Sequence, residues 1–394
     1  MEDMYAQRLD KIAPFRVMEL LERARALEAE GHDVVHFEVG EPDFPTAAPI
    51  AEAGVAAIVG EQTKYTEALG IPELRQSIAS YYGAMGVQVA WERIVITAGA
   101  SGGLVLLNAL LLNSADQLLL TDPGYPCNEV FAALVNAEPV RVVVPASDKF
   151  QLSADIVQEH WGPRTRGLLL ASPANPTGVV QDLDALGGVC AAVRRLGGFV
   201  ILDEIYQGLT YDPQPQYRTG LEVDPEIFVL NSFSKYFGMT GWRLGWMVVP
   251  GDAVEPVARL AQNLFISPSA IAQQAAMAAF SPAAMAIHES RRVEFSKRRD
   301  RLAAGLQNLG FRIPVLPLGA FYLYVDIAST GMDSEAFCWQ LINEFHVAVT
   351  PGIDFGDHLA DRYVRFAYTT DMASIELGLE RIAAALRAWG LACR

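Results

Sequence analysis

The chain reads as an α/β protein, with a mostly parallel seven-stranded sheet between helices in a large domain and a smaller α+β domain beside it. Three observations point there. From about residue 49 helix-like and strand-like stretches alternate, and the strand-like ones are short leucine-rich or β-branched runs without polar alternation, as expected when helices cover both faces of a parallel sheet. After about residue 285 the character changes to a long charged helix followed by aromatic strands. Residues 1–48 are too few to bury a core of their own. The expected division is a large domain over 49–284 and a small domain built from both termini, 1–48 and 285–394.

The elements follow in order. Pro14 to Gly31 reads as a helix, because Val17, Leu20, Leu21, Ala24 and Leu27 fall on one face, with proline near the start and glycine at the end. Val34–Phe37 is a short strand that runs into a turn-rich crossing, Gly40-Glu41-Pro42-Asp43-Phe44-Pro45. The seven candidate sheet strands are Ile94–Thr97, Gln117–Thr121, Val140–Val144, Gly167–Ala171, Phe199–Leu202, Ile227–Leu230 and Leu244–Val249. A parallel crossover takes about a dozen residues or more and usually a helix. Only a loop joins the last two strands, so Leu244–Val249 is expected to run antiparallel to the rest. A charged helix (Glu289–Leu309), an aromatic strand (Gly319–Val325), a helix (Ser334–Glu344), a strand (Tyr363–Ala367) and a final helix (Met372–Trp389) complete the chain.

Composition narrows the class. Of 394 residues, 51% are hydrophobic and 19% charged, an ordinary globular balance. The net charge of −16 argues against a nucleic-acid or anionic-membrane partner, and any anionic ligand must then sit in a local cationic pocket. Cys127, Cys190, Cys338 and Cys393 form no C-x-x-C pair, which fits free thiols in a reducing compartment. The acidic amino terminus lacks a signal peptide's apolar core, and the longest apolar run, Leu104 to Leu112 broken by Asn108, is too short to span a bilayer. A cytoplasmic enzyme is the expectation. His32 and His36 share an i, i+4 spacing but lie on a turn and a strand, so no metal is expected there.

The chemistry-bearing residues gather just past the strands, where open α/β sheets bind ligands. Lys235 lies in the run Ser232-Phe233-Ser234-Lys235-Tyr236-Phe237-Gly238-Met239-Thr240-Gly241-Trp242-Arg243-Leu244-Gly245-Trp246, directly after a buried-strand pattern. Such surroundings depress a lysine's pKa and suit it to act as a nucleophile. The neighbouring hydroxyls, backbone N–H groups and arginine can hold a phosphate. A lysine beside a phosphate site points to pyridoxal 5′-phosphate, whose aldehyde condenses with lysine. Gly99-Ala100-Ser101-Gly102-Gly103 opens a helix whose amino terminus attracts an anion. Asp122-Pro123-Gly124-Tyr125-Pro126 projects an aromatic ring, and Ser172-Pro173-Ala174-Asn175-Pro176-Thr177-Gly178 an amide. Asp203-Glu204-Ile205-Tyr206 brings a carboxylate that would keep a pyridine nitrogen protonated, its own pKa lowered by that cation.

Seven motifs in order carry a resemblance over nearly the whole length. They are Gly40-Glu41-Pro42-Asp43-Phe44, Lys64-Tyr65-Thr66, Asp122-Pro123-Gly124-Tyr125-Pro126, Asn175-Pro176-Thr177-Gly178, Asp203-Glu204-x-Tyr206, Ser232-x-Ser234-Lys235 and Gly241-Trp242-Arg243-Leu244-Gly245. On them the chain resembles the class I/II pyridoxal-phosphate-dependent aminotransferases of fold type I, the aspartate aminotransferase-like superfamily. The resemblance implies that Lys235 forms the internal aldimine and then carries the proton between substrate Cα and cofactor C4′. It implies that Asp203 pairs with the ring nitrogen, that Tyr206 and Asn175 meet the phenolic oxygen, and that Tyr125 stacks on the ring. Ala100, Ser101, Ser232, Ser234 and Arg243 would hold the phosphate, and Tyr65 would reach the phosphate of a neighbouring subunit in a homodimer with shared sites. Arg365 would bind the substrate α-carboxylate bidentately, with Asn175 and the Gly40 backbone.

Other functions meet the residues less well. Gly99-Ala100-Ser101-Gly102-Gly103 matches a G-x-S-x-G nucleophile elbow and Ser232-x-x-Lys235 an S-x-x-K pattern. A serine hydrolase using Ser101 or Ser232 would also need an oxyanion loop and an acid-paired late histidine. No His-Gly-Gly-Gly run is present, His346 and His358 lack an evident acidic partner, and no Lys-Thr-Gly follows Ser232. A pyridoxal-phosphate-sensing regulator would need a DNA-binding module and a basic surface. Within the cofactor class, a C–S β-lyase is the alternative, because the fold fixes the cofactor and not the bond that breaks. No cation follows the phosphate cup, where positions 102 and 103 are glycines, and Phe15, Val17, Phe321 and Tyr322 are candidates for an apolar pocket. The expected reaction is ping-pong transfer from a neutral aliphatic or aromatic L-amino acid to a 2-oxo acid.

Overall fold

The computed structural model describes residues 4–211 and 219–391. Residues 1–3, which begin the acidic amino terminus, and the expected free thiol of Cys393 lie outside the described residues. The strands are β1 (Val35–His36), β2 (Ile94–Thr97), β3 (Gln117–Asp122), β4 (Glu138–Val143), β5 (Thr165–Ala171), β6 (Phe199–Asp203), β7 (Phe228–Ser232), β8 (Gly245–Val248), β9 (Tyr322–Asp326), β10 (Val347–Ala348), β11 (Thr350–Pro351) and β12 (Tyr363–Ala367).

Seven of them form one sheet in the order β2-β8-β7-β6-β5-β3-β4. The run β7-β6-β5-β3-β4 is parallel, and β8 is antiparallel to both β2 and β7, as the short connection requires. Every residue of β2, β7 and β8 is buried, so these strands carry no polar alternation. The edge strand β4 differs from the expected buried run: it alternates half-buried with exposed positions until Val142, because one of its faces is open to solvent at the sheet margin.

Beneath the β7–β8 loop, Phe233, Phe237, Trp246 and Phe280 interlock at centroid distances of 4.8–6.1 Å. Trp246 is fully buried and satisfies its indole N–H on the Tyr82 hydroxyl at 3.2 Å. Truncating such a residue to alanine costs about 3–5 kcal/mol. This packing is the rigid bed of the loop that carries Lys235.

The remaining strands form a three-stranded antiparallel sheet, β11-β12-β9, and a parallel pair, β1 with β10. The amino-terminal strand thus pairs with the carboxyl-terminal part of the chain. The first helix, α1 (Arg16–Ala29), buries Val17, Leu20, Ala24 and Leu27, four of the five residues expected on its inner face; Leu21 is half-buried. The charged helix starts earlier than expected, at Pro282, because Ser281 caps it by accepting the Ala284 N–H at 3.3 Å. Among the described residues no single helix is long and apolar enough to cross a membrane.

Candidate active site

A cavity of about 450 Å³ opens at the carboxyl ends of the parallel strands, a volume that suits a small ligand. Gly40, Ala100, Ser101, Tyr125, Asn175, Asp203, Tyr206, Ser232, Ser234, Lys235, Arg243 and Arg365 all line it. Tyr65 does not: it is 80% exposed on the surface of this single chain.

One end of the cavity is built for an anion. The helix Gly99–Leu111 starts there, with unpaired N–H groups and a positive dipole end. Gly99 has φ +67°, and a Cβ on it would come within 2.7 Å of Arg243 Nη2, so glycine is what lets the guanidinium close over the helix start. Arg243 itself holds φ +52°, a conformation disfavoured for any residue that carries a Cβ and often met at functional sites. Its Nη1 donates to the Thr240 carbonyl at 3.0 Å. Ser232 Oγ accepts the Ser234 N–H at 3.0 Å and donates to the Leu244 carbonyl at 3.3 Å.

In the middle, Lys235 Nζ donates to the Gly40 carbonyl at 2.7 Å. It faces the rings of Phe321 and Tyr206 at 5.6 and 5.9 Å. Burial, with smaller help from Arg365 and Arg243, lowers its pKa to about 8, while Glu41 and Asp203 oppose the shift. Burial pushes the Asp203 carboxyl up to about 7, and the Ile205 N–H and the Lys235 charge offset that only in part. The only side-chain hydrogen bond it makes among the described residues is the one Oδ1 accepts from Ile205 N at 3.0 Å. A buried carboxylate with a free oxygen calls for a proton-bearing cation.

Tyr206 hydrogen-bonds the hydroxyl of Tyr322 at 2.9 Å. Sequence reasoning took Tyr322 as apolar lining and missed this polar role. The same phenol occupies the space where a Cβ on Gly40 would lie, so the close approach of backbone and ring excludes any larger residue there. Phe321 corrects the other half of that expectation: it is fully buried and packs edge-on to Tyr206 at 5.3 Å instead of lining the cavity.

At the opposite end Arg365, on β12, is 3% exposed. Its Nη1 donates to Asn175 Oδ1 at 3.0 Å, and its Nη2 to the Glu38 carbonyl and to Thr350 Oγ1 at 3.3 Å. The guanidinium stacks on Tyr322 and Phe355 at 4.4 and 4.8 Å. Its Nε has no partner, and no carboxylate among the described residues pairs with it within 4.0 Å. A buried cation without an anion marks a place for one. Tyr125 is fixed by its turn: Asp122 accepts the N–H groups of Asp357 and His358 at 2.9 and 3.1 Å, and Gly124 N donates to Phe355 O at 2.7 Å.

The outer wall is apolar. Phe15, Val17, Met18 and Leu21 reach the cavity from α1 and its start. That start is capped from far along the chain by Asp354, whose carboxylate accepts the Arg16 and Val17 N–H groups at 3.2 and 2.9 Å. No local signal marks Asp354, because its partners lie more than three hundred residues away. No histidine lines the cavity among the described residues, which leaves Ser101 and Ser232 without the base a hydrolase needs.

The donor set fits a pyridine ring that bears an aldehyde and a phosphate. It offers an anion cup, a half-buried lysine of lowered pKa, a buried carboxylate with a free oxygen, an aromatic face and an unpaired arginine. Comparison with known proteins agrees. Residues 32–382 match the family described as aminotransferase class I and II. The chain is 36% identical to a valine–pyruvate aminotransferase of Mycobacterium tuberculosis over 94% of this chain and 96% of the relative. It is 32% identical to an aspartate aminotransferase of Pyrococcus horikoshii over 97% of each. A crystal structure of an aminotransferase from Mycobacterium tuberculosis superposes with a TM-score of 0.94 at 35% identity, covering 98% of this chain and all of that one. The Thermus thermophilus aspartate aminotransferase with maleate superposes at 0.91 and 30% identity, covering 97% and 99%.

Proposed function

The chain belongs to the class I and II aminotransferases, a pyridoxal-phosphate-dependent family of fold type I, and we propose that it transfers the amino group of a neutral aliphatic or aromatic L-amino acid to a 2-oxo acid. One observation carries the choice of donor. The wall beyond Arg365 and Lys235 is made of Phe15, Val17, Met18 and Leu21, and none of the α1 arginines (Arg16, Arg23, Arg25) lines the cavity, so a side chain leaving the carboxylate end meets apolar surface. A relative named for valine and pyruvate supports the reading, although relatives named for aspartate share the fold.

Each residue has a task in this reading. Pyridoxal phosphate, when bound, supplies an aldehyde that takes the amino group and a ring that accepts the electron pair left at Cα. Ala100, Ser101, Ser232, Ser234 and Arg243 hold its phosphate; Tyr125 covers the ring. Asp203 holds a proton on the ring nitrogen, and Asn175 and Tyr206 orient the ring oxygen. Arg365 takes the substrate carboxylate and so fixes which Cα bond faces Lys235. Lys235 would hold the aldehyde and, once the substrate amine has displaced it, would take the proton from Cα as general base and pass it on as general acid. The same residues serve donor and acceptor in turn, which is ping-pong transfer.

The working unit we propose is a homodimer, in which Tyr65 completes the partner's phosphate cup. Within each chain, residues 49–284 form the large domain, and 1–48 with 285–394 the small one. A reducing, cytoplasmic setting fits the dispersed cysteines. A donor panel with pyruvate and 2-oxoglutarate tests the substrate class: valine, leucine or phenylalanine should lead, and a clear preference for aspartate would sink it. Light scattering tests the dimer, and a Tyr65→Phe variant of unchanged phosphate affinity would remove its proposed role.

A further inference from the structure

Arg365 is gripped from behind by residues that do not touch the cavity. Its Nη2 donates to the Glu38 carbonyl and, at 3.3 Å, to Thr350 Oγ1, which donates to the same carbonyl at 3.0 Å. Thr350 sits opposite Arg365 in the β11–β12 register. The Glu38 side chain is completely buried. Its Oε1 meets His36 Nδ1 at 2.7 Å, and its Oε2 has no partner. His36 Nε2 lies 3.1 Å from Glu28 Oε1 on α1. An imidazole therefore bridges a half-exposed carboxylate and a buried one, and the buried one belongs to the residue whose carbonyl holds Arg365.

A buried carboxylate with a free oxygen is costly, and an apolar residue of similar size often packs as stably. A purely structural pair leaves that cost unexplained. We propose that His36 and Glu38 are positioning residues for Arg365: protonated His36, held between Glu28 and Glu38, fixes the Glu38 carbonyl and with it the guanidinium that takes the substrate carboxylate. Loss of that proton loosens substrate binding and leaves proton transfer at Cα intact. The inference rests on the assignment of the carboxylate to Arg365.

The surroundings favour the charged imidazole. Its hydrogen bond to Glu38 is the largest influence and, with the fields of Glu38 and Glu28, raises His36 to about 9 against the effect of burial. The neighbouring strand offers only Val347 and Ala348. On the helix Met372–Ala388, which packs on β1, Arg381 is taken by Asp33 at 2.9 Å and by the His346 carbonyl at 3.2 Å. A raised base is protonated below its pKa, so carboxylate binding is tight below about pH 9 and weakens above it.

The test uses the holoenzyme and 3-phenylpropanoate, a carboxylate without an amino group, whose own charge is constant from pH 7 to 10.5. Its Kd is measured by calorimetry for wild type, His36→Gln, Glu38→Gln and Arg365→Lys. Wild-type Kd should rise about fivefold or more through pH 9, the low end of couplings between sites. His36→Gln and Glu38→Gln should bind weakly at pH 7.5 and lose that step, with donor KM raised and kcat within about twofold. Parallel profiles in wild type and His36→Gln, or a kcat loss as large as the KM gain, overturn the proposal. Unchanged affinity in Arg365→Lys sinks the assignment beneath it; weak binding there with an unaltered His36→Gln sinks the positioning role alone. If His36→Gln does not fold, histidine NMR on wild type decides. By reciprocity, saturating 3-phenylpropanoate should raise the His36 pKa by about 0.7 unit, and no shift overturns the proposal.

Discussion

The hydroxyls of Tyr206 and Tyr322 lie 2.9 Å apart on the buried side of the cavity, and the second phenol also fills the space a Cβ on Gly40 would need. Tyr322→Phe removes the partner of Tyr206 and leaves the ring in place. We expect kcat/KM to fall about 5- to 30-fold, the scale of one buried hydrogen bond left unmade, with little change in Tm. An unaltered kcat/KM would show that Tyr206 needs no support. Gly40→Ala meets the phenol directly, and thermal unfolding should report a loss of about 1–3 kcal/mol.

Lys235→Ala should lower turnover by more than about 10³-fold, within the range of a lost general base, while the fold stays intact by circular dichroism. A small primary amine added to the variant should restore part of the rate. Multiple turnover at an ordinary rate would overthrow the assigned role.

The free lysine also sets a pH dependence. Only its neutral form attacks an aldehyde, and burial holds its pKa near about 8. The rate at which apoenzyme takes up pyridoxal phosphate, followed by absorbance, should climb with pH up to about 8 and level above it. A midpoint near 10.5, the value for an unperturbed lysine, would contradict the buried setting.

His288 ties stability to pH. It is fully buried among Tyr236 and Phe237. Burial, aided by Arg291 and opposed by the Ala279 backbone and Glu289, lowers its pKa to about 4. The folded state keeps it neutral while the unfolded chain binds a proton below about 6.5. Its contribution is therefore full above pH 6.5 and drains away as pH falls toward 4, by at most about 3 kcal/mol. The stability of wild type relative to His288→Leu, read by denaturant unfolding, should be constant above pH 6.5 and fall between pH 6.5 and 4; identical pH slopes in that window would refute it.

Asp203→Asn removes the carboxylate proposed to hold the ring-nitrogen proton. kcat should fall by about 10²–10⁴-fold, with the cofactor still bound through its phosphate contacts, as read by absorbance of the loaded protein. Retained kcat would assign the carboxylate a structural role.

The middle of the sheet was legible because its strands are buried on both faces and stop at glycine or at polar, chemistry-bearing runs, so β2, β7 and β8 could be placed within a residue or two. Residues at the strand ends were legible for the same reason: Asn175, Asp203 and Lys235 follow directly on apolar runs. Arg365 was recognisable only through resemblance. What stayed hidden depends on contacts far apart in sequence. Glu38 behind Arg365, Asp354 at the start of α1 and the hydroxyl of Tyr322 carry no local pattern. The choice between Phe321 and Tyr322 turned on the side each takes as β9 begins, which composition cannot show.

β8 runs backward between β2 and β7, so the stretch from Phe233 to Leu244 is a hairpin loop clamped at both feet. Lys235 and Arg243 ride on that one span, while Arg365 rides on a different sheet. In the proposed function the groups that retain the cofactor and the group that takes the substrate carboxylate thus belong to different sheets, and an insertion in the clamped span should be far less tolerated than one in the loops around Arg365.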